Sequence, residues 1–436
     1  MGVTAARPLG VLLVLAMTLG CPAARPCRED AQCEPDQRCE LSGSAEVGRC
    51  VAAAGEGEGE GEGEGEGEGE GEGEGEGEPI RATHLAVGGS FSCAIDDQAR
   101  VQCWGANGHG QLGRVTGGGL NDVFGVGVVP GLADVDLLVA GQTHACAHGE
   151  REGAVRLWCW GDPAGFSLGV EASVAIGELV EPALPSGFGR DTVVMAASGD
   201  NAGGVTCASD ATETWCFGVH APGHNTANPA SVPLGALEGA SDLFVSTAGV
   251  CGRTASGVVC VAPGAALAAL GCSDGVPCVA LDSADEVSFD AGNVCIRQAS
   301  TLRCAGENDY GVVTPGVPAA GSLGLSDVGT GHHIQLGTHA VCAIDGASVP
   351  MCWGHWLYGN LGVPENAFGS TPCPPGYETA DCYGQTVPEL PAGFTLFAAI
   401  TTFQTRTCAL SLDQRVVCWG SELDAVLVPQ EVALVP

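Results

Sequence analysis

Short apolar runs of four or five residues, broken by polar turns, recur through residues 81–436, and none lengthens into a helical period. In residues 84–105 the runs 92–95 and 101–104 flank the polar stretch 96–100, the pattern of two short strands joined by a turn. Near the end of the chain, residues 407–412 and 415–419 repeat that pattern around Asp413 and Gln414. Another apolar stretch precedes each hairpin, such as 137–140, 193–197, 243–245 or 396–400. A loop punctuated by Gly and Pro follows, then a further short run such as 126–132, 231–234 or 430–434. Four short strands per unit are predicted.

Cysteines mark the repeat. Seven pairs recur with a period of about fifty residues, which signals a repeat architecture. They are Cys93 with Cys103, Cys146 with Cys159, Cys207 with Cys216, Cys251 with Cys260, Cys295 with Cys304, Cys342 with Cys352, and Cys408 with Cys418. Trp-Gly follows the second cysteine at Trp104, Trp160, Trp353 and Trp419; Phe217-Gly218, Val261-Ala262 and Ala305-Gly306 take its place elsewhere. Cysteines at matching distances from a turn face each other across two antiparallel strands, within the reach of a disulfide. Each pair is expected to be a cross-strand disulfide. Four-stranded units repeated radially give an all-β propeller, and seven of them predict a seven-bladed one. A stacked β-solenoid would call for shorter and more regular repeats.

Three stretches carry a resemblance to a known family: Gly141-Gln-Thr-His144-Ala-Cys146, Trp104-Gly-Ala-Asn107-Gly-His-Gly-Gln-Leu-Gly113, and Trp353-Gly-His-Trp-Leu-Tyr-Gly359-Asn-Leu-Gly362. They resemble regulator of chromosome condensation repeats over about the whole of residues 81–436, with copies three to five eroded. The resemblance implies a seven-bladed propeller, and gives His144 a structural place in its blade.

The N-terminus adds an address. Residues 1–20 hold Arg7, then an apolar run over 9–19, then Gly20-Cys21, which reads as a secretory signal too short to span a bilayer. Gly-Cys at the cleavage point resembles a bacterial lipoprotein signal, so Cys21 is the expected lipidation site. The total of 23 cysteines is odd. Without Cys21 every cluster is even: Cys27, Cys33, Cys39 and Cys50, the fourteen in the repeats, Cys272 with Cys278, and Cys373 with Cys382. The last two pairs are expected disulfides as well, and an oxidising compartment follows. None of the pairs has zinc-knuckle spacing, so no metal is expected.

Four segments result: a signal peptide (1–20), a small cysteine-rich module (21–54) whose connectivity stays open, a Gly-Glu low-complexity linker (55–78) and the propeller (79–436). Twelve Gly-Glu dipeptides cannot bury enough apolar surface to order the chain, so the linker is a solvated spacer of roughly 25–30 Å.

Charge narrows the partners. The formal net charge is −36, with 16 arginines and no lysine. No basic stripe exists to neutralise phosphates, so neither nucleic acid nor an anionic lipid surface is an expected partner. Missing lysines also exclude Schiff-base and P-loop chemistry.

Candidate chemistry is thin. Gly165-Phe-Ser167-Leu-Gly169 matches the nucleophile-elbow pattern, but that motif needs a strand-to-helix turn over a parallel sheet and here sits among β-strands. His332 and His333, with His339 nearby, tempt as ligands, yet neighbours on a strand point to opposite faces. The acidic pairs Asp96 with Asp97, Asp285 with Glu286, and Glu307 with Asp309 read as solvated turns that do not converge on the axis. The recurring tryptophans read as packing between blades. The insertion over 355–396 is the most informative segment. Trp356, Phe368, Tyr377 and Tyr383 surround the pair Cys373 and Cys382, and rigid aromatic loops make protein-binding hot spots.

The sequence therefore predicts a non-enzymatic protein-binding scaffold without catalytic residues or cofactors. It is exported, at the outer membrane or cell surface (periplasmic or secreted as the alternative), touching the membrane only through its lipid, and monomeric. Its protein partner is unidentified. Two other classes are weighed: a GTPase regulator acting by guanine-nucleotide exchange, which the resemblance implies, and a surface hydrolase or lyase.

Overall fold

The computed structural model describes residues 26–27, 37–40 and 48–52, and residues 80–435 apart from 117–122, 171–173, 186–187, 189–191, 193, 201, 211, 225–230, 316–320, 338–339, 365–370, 373–380 and 421–428. The chain divides into two units, Met1–Glu76 and Gly77–Pro436. In the first, strands Pro26–Cys27, Gln37–Glu40 and Gly48–Ala52 form an antiparallel sheet that sets Cys39 opposite Cys50. Residues 1–20, Cys21, Cys33 and the Gly-Glu run lie outside the described residues.

The second unit is an all-β propeller, with six sheets among the described residues. The first sheet is typical: Ala82–Val87, Phe91–Asp96, Val101–Ala106 and Val123–Val128 pair antiparallel in chain order. The last is built the same way from Phe397–Phe403, Arg406–Ser411, Val416–Trp419 and Gln430–Val432. One sheet has eight strands and holds two hairpins, because the sixteen-residue strand Ser322–Gly337 is shared. Its first half pairs with Thr301–Glu307 and its second half with Ala340–Asp345.

Every hairpin carries one disulfide between directly opposed cysteines, as the spacing predicts. Cys93 is bonded to Cys103, Cys146 to Cys159, Cys207 to Cys216 and Cys251 to Cys260. In the eight-stranded sheet Cys295 is bonded to Cys304 and Cys342 to Cys352, and in the last sheet Cys408 to Cys418. Cα atoms stand 4.0–4.2 Å apart across the seven. That is the close, non-hydrogen-bonded kind of antiparallel pair, where side chains approach most nearly. Cys272 and Cys278 form an eighth disulfide in a loop. The expected partner of Cys382, Cys373, lies outside the described residues.

The innermost strand of each hairpin adjoins the next, and Phe397–Phe403 lies against Ala82–Val87, so the ring closes. Apolar clusters fill the wedges between neighbouring sheets. Leu112, Leu138 and Trp160 meet between the first and second, and Ala82, Trp104, Leu410 and Val416 between the last and first. Among the described residues, neither sheet at the closing seam borrows a strand from the other end of the chain. Hydrogen bonds join it instead: Ala82 N–H donates to the Gln414 carbonyl at 2.9 Å, and the Gln102 amide binds both the N–H and the C=O of Val435 at 2.8 Å.

Candidate functional site

The Trp-Gly glycine shows why this dipeptide recurs. Gly105 has φ +109, and a Cβ there would lie 2.6 Å from the Ser90 carbonyl oxygen. Only glycine combines that conformation with so close an approach. The copy that lacks it places Ala262 at φ 50 instead. The preceding tryptophan is fully buried at Trp160, Trp353 and Trp419, and Phe217 fills the same place in the third copy.

Ser167 is a structural hydroxyl. It is buried, donates to the Ala164 carbonyl at 2.6 Å and accepts from the Gly204 N–H at 2.8 Å, so it ties a short turn to the next sheet. The segment 164–166 is a 3-10 turn, which provides no strand-to-helix elbow.

His144 is buried in the same seam. Its ring sits against Gly141 and Gly204, where any Cβ would overlap it. Nε2 and the Thr206 hydroxyl lie 2.9 Å apart, while Nδ1 has no partner. Burial pushes its pKa down to about 4. Arg406 occupies the same position relative to its cysteine and reaches across the closing seam, its Nε donating to Ser92 Oγ at 2.9 Å.

Two expectations are corrected here. Asp96 is no solvated turn residue: it is 1% exposed and accepts from the backbone of Gln98 and Arg100 and from the side chains of Arg100 and Gln102. His332 and His333 do not point to opposite faces. A register shift follows His332, His333 turns to φ 52, and their rings pack edge to face at 5.0 Å. A bulge breaks the alternation on which the expectation rested. His339 lies outside the described residues.

The ring encloses a cavity of about 630 Å³, lined by segments of seven inner strands. Its wall carries four carboxylates, Asp200, Asp242, Glu286 and Asp290, together with His333, and no arginine. Glu286 opens the inner strand Glu286–Phe289, and Asp242 holds the equivalent place in Asp242–Ser246. Carboxylates from repeat-equivalent positions therefore do meet at the axis, which sequence reasoning missed because Asp242 stands in no motif. The register Asp242↔Arg253 and Glu286↔Arg297 was the available signal. Glu286 accepts from Arg297 Nε at 2.8 Å and from the Ile334 N–H at 3.0 Å. Burial pushes the Asp242 carboxyl up, with Arg253 opposing. Burial holds His333 down against the pull of Glu286.

Of the aromatic residues singled out in the insertion, Trp356 is half-buried and its indole donates to the Val363 carbonyl at 2.9 Å, which ties down its own loop. Tyr383 lies in the strand Asp381–Thr386, opposite Gly354. Phe368 and Tyr377 are outside the described residues. Tyr358, within the repeat stretch Trp353–Gly362, is 47% exposed.

Residues 82–111 match the model of the regulator of chromosome condensation (RCC1) repeat. The RCC1 domain-containing protein RUG3, mitochondrial, of Arabidopsis thaliana is 32% identical over 93 residues, 21% of this chain. The chain spans about a fifth of the length of that curated relative, which it matches over 20%. Solved structures that resemble it include Prp20p of Saccharomyces cerevisiae (14% identity, 80% of this chain and 76% of that one, TM-score 0.42). Human WBSCR16 has 16% identity, covers 81% and 83%, and gives a TM-score of 0.40. The ectodomain of the receptor kinase ACR4 of Arabidopsis thaliana has 14% identity, covers 82% and 100%, and gives 0.46. This chain is thus an all-β propeller that carries a regulator of chromosome condensation repeat in residues 82–111.

Proposed function

We propose that the chain is an exported propeller of seven blades, tethered through a lipid on Cys21, that binds a protein partner through the loops of one face and catalyses nothing itself. The blade count takes the eight-stranded sheet as two, since it holds two disulfide hairpins and two innermost strands. The eight disulfides among the described residues support export, because so many cysteines would stay reduced in a cytosol.

One observation carries the scaffold reading. Three polar side chains in or beside the repeat motifs are taken up in joining sheets: Ser167 to Gly204, His144 to Thr206, and Asp96 through Gln102 to the seam. What varies between units is the loop after the third strand, longest at 355–396, where Trp356 anchors the base and Tyr358 is exposed. Phe368, Tyr377 and Tyr383 complete the proposed partner-binding set. The test is a pull-down from envelope fractions with the full chain and with a form lacking residues 372–383. Loss of a partner from the shortened form supports this loop, and identical partner sets remove it. The tether is tested by Cys21→Ser, which should release the protein from membranes.

A further inference from the structure

We propose that the axial cavity is a socket for a cationic side chain, an arginine or lysine on an extended segment of the partner, entering from the face that bears the Trp-Gly loops. This rests on the protein-binding reading and names the chemistry of the partner.

Charge within the propeller is sided. Several half-exposed arginines towards the hairpin turns stand against a carboxylate of their own unit. Arg100 pairs with Asp96, Arg297 with Asp285 and Glu286, Arg303 with Asp327, and Arg415 with Asp413. Towards the loop face the described arginines turn inward. Arg114 spends its guanidinium on the carbonyls of Cys103, Gly125 and Gly127, and Arg406 is buried against Ser92. Asp200 and Asp290 end their inner strands on this face and stand at the mouth of the cavity. Exposed Asp274 and Glu307 lie on the same side, held by the ends of their third strands. On this side His220 lies 2.9 Å from Asp200, and His109 lies 3.1 Å from Asp162.

A concave wall of one sign in low-dielectric surroundings focuses its field into the opening and raises the local concentration of the opposite charge. Four carboxylates on the wall would repel a phosphate or carboxylate ligand, and the volume of about 630 Å³ has room for a short segment rather than a bare ion. Asp242 and Glu286 stand at the far mouth, partly offset by Arg253 and Arg297, whereas no arginine lines the cavity itself.

The experiment titrates the full chain with a fluorescein-labelled Gly-Arg-Gly-Arg-Gly-Arg peptide in 0.15 M salt, where remote charges are screened beyond about 8 Å. Three proteins are compared: wild type, Asp200→Asn with Asp290→Asn, and a control with Asp97→Asn and Glu152→Gln that removes equal charge from exposed hairpin turns. Asparagine keeps the turn hydrogen bonds that Asp200 and Asp290 accept from Ala202, Gly292 and Asn293. The cavity variant should bind about tenfold more weakly and the control within about twofold of wild type. Equal affinities in all three, or no binding by wild type, would overturn the socket. If the envelope pull-down yields a partner that the cavity variant retains in full, the socket falls and the scaffold stands. If wild type captures nothing, the scaffold reading falls first.

Discussion

The indole Nε1 of Trp160 donates to the backbone carbonyl of Gln111 at 3.0 Å, across the gap between two neighbouring sheets. Trp353 bonds Val312 at 2.8 Å and Trp419 bonds Asn360 at 2.9 Å in the same way. All three acceptors lie at one position of the preceding repeat, in the loop after its third strand. That loop is shaped by its asparagine: Asn107 Oδ1 accepts from Leu112 N–H, and Asn308 Oδ1 from Val313 N–H. So the Trp-Gly and Gly-x-Leu-Gly halves of the repeat are two sides of one contact between sheets.

Trp160→Phe tests this contact. Phe217 shows that a phenyl ring fits the site, so the substitution removes the donor and leaves a buried carbonyl unmet. The expected loss is about 1–3 kcal/mol of unfolding free energy in a urea titration, from that unmet carbonyl and the smaller ring. Trp160→Ala should lose about 3–5 kcal/mol, because the cavity is added. A negligible loss for Trp160→Phe would show that packing alone matters, and equal losses for both variants would show that the donor alone does.

His144 makes the seam acid-sensitive. Its folded pKa of about 4 lies below the ordinary histidine value of 6.5. The unfolded chain therefore takes up the proton first as pH falls. The contribution is whole above about pH 6.5, is lost on the way down to about pH 4, and changes no further below that. The integrated loss is on the order of 3 kcal/mol. His144→Phe, which places there the residue found at the equivalent Phe91, should lack this component. Urea midpoints at pH 7 and pH 4.5 for both proteins give the difference, and parallel losses would count against His144.

Ser167→Ala separates structure from catalysis. The Gly204 N–H loses its acceptor, so a loss of about 1–3 kcal/mol is expected. Any esterase activity measured in wild type should survive per mole of folded protein.

The sequence made the hairpins legible because each is fixed by local features: two cysteines, a turn between them and a Trp-Gly whose glycine needs positive φ. Cys93 and Cys103 are ten residues apart and find each other without help from the rest of the chain. The inner strands were harder to read. Residues 242–246 and 286–289 carry no motif, and what sets Asp242 beside the axis is the closing of the ring, a property of all the sheets together. His333 fails for a different reason: a bulge inside a sixteen-residue strand inverts the alternation of faces, and nothing in His332-His333-Ile334 announces it. Asp96 looked solvated because it sits at a turn. Its burial depends on Gln102 and on Val435, more than three hundred residues away.

That last network should set the stability of the closed ring. Gln102 donates to Asp96 Oδ2 and to the Val435 carbonyl, each at 2.8 Å, and accepts from the Val435 N–H at the same distance. Arg100 adds a longer bond of 3.3 Å to that carbonyl. No strand is shared across the seam among the described residues, so these bonds, those of Ala82 to Gln414 and of Arg406 to Ser92, and the apolar cluster of Trp104, Leu410 and Val416 hold it. Gln102→Ala removes three hydrogen bonds at once and leaves Asp96 with a buried oxygen served by Arg100 alone. A loss of about 2–4 kcal/mol is expected, since each buried group left unmet contributes about 1–3 kcal/mol and the sites are coupled. The loss should be local before it is global. Hydrogen exchange at 430–435 and 82–87 should quicken in the variant, while exchange at 249–261, on the far side of the ring, stays unchanged. Uniform acceleration would mean that the seam is no weaker than the other junctions.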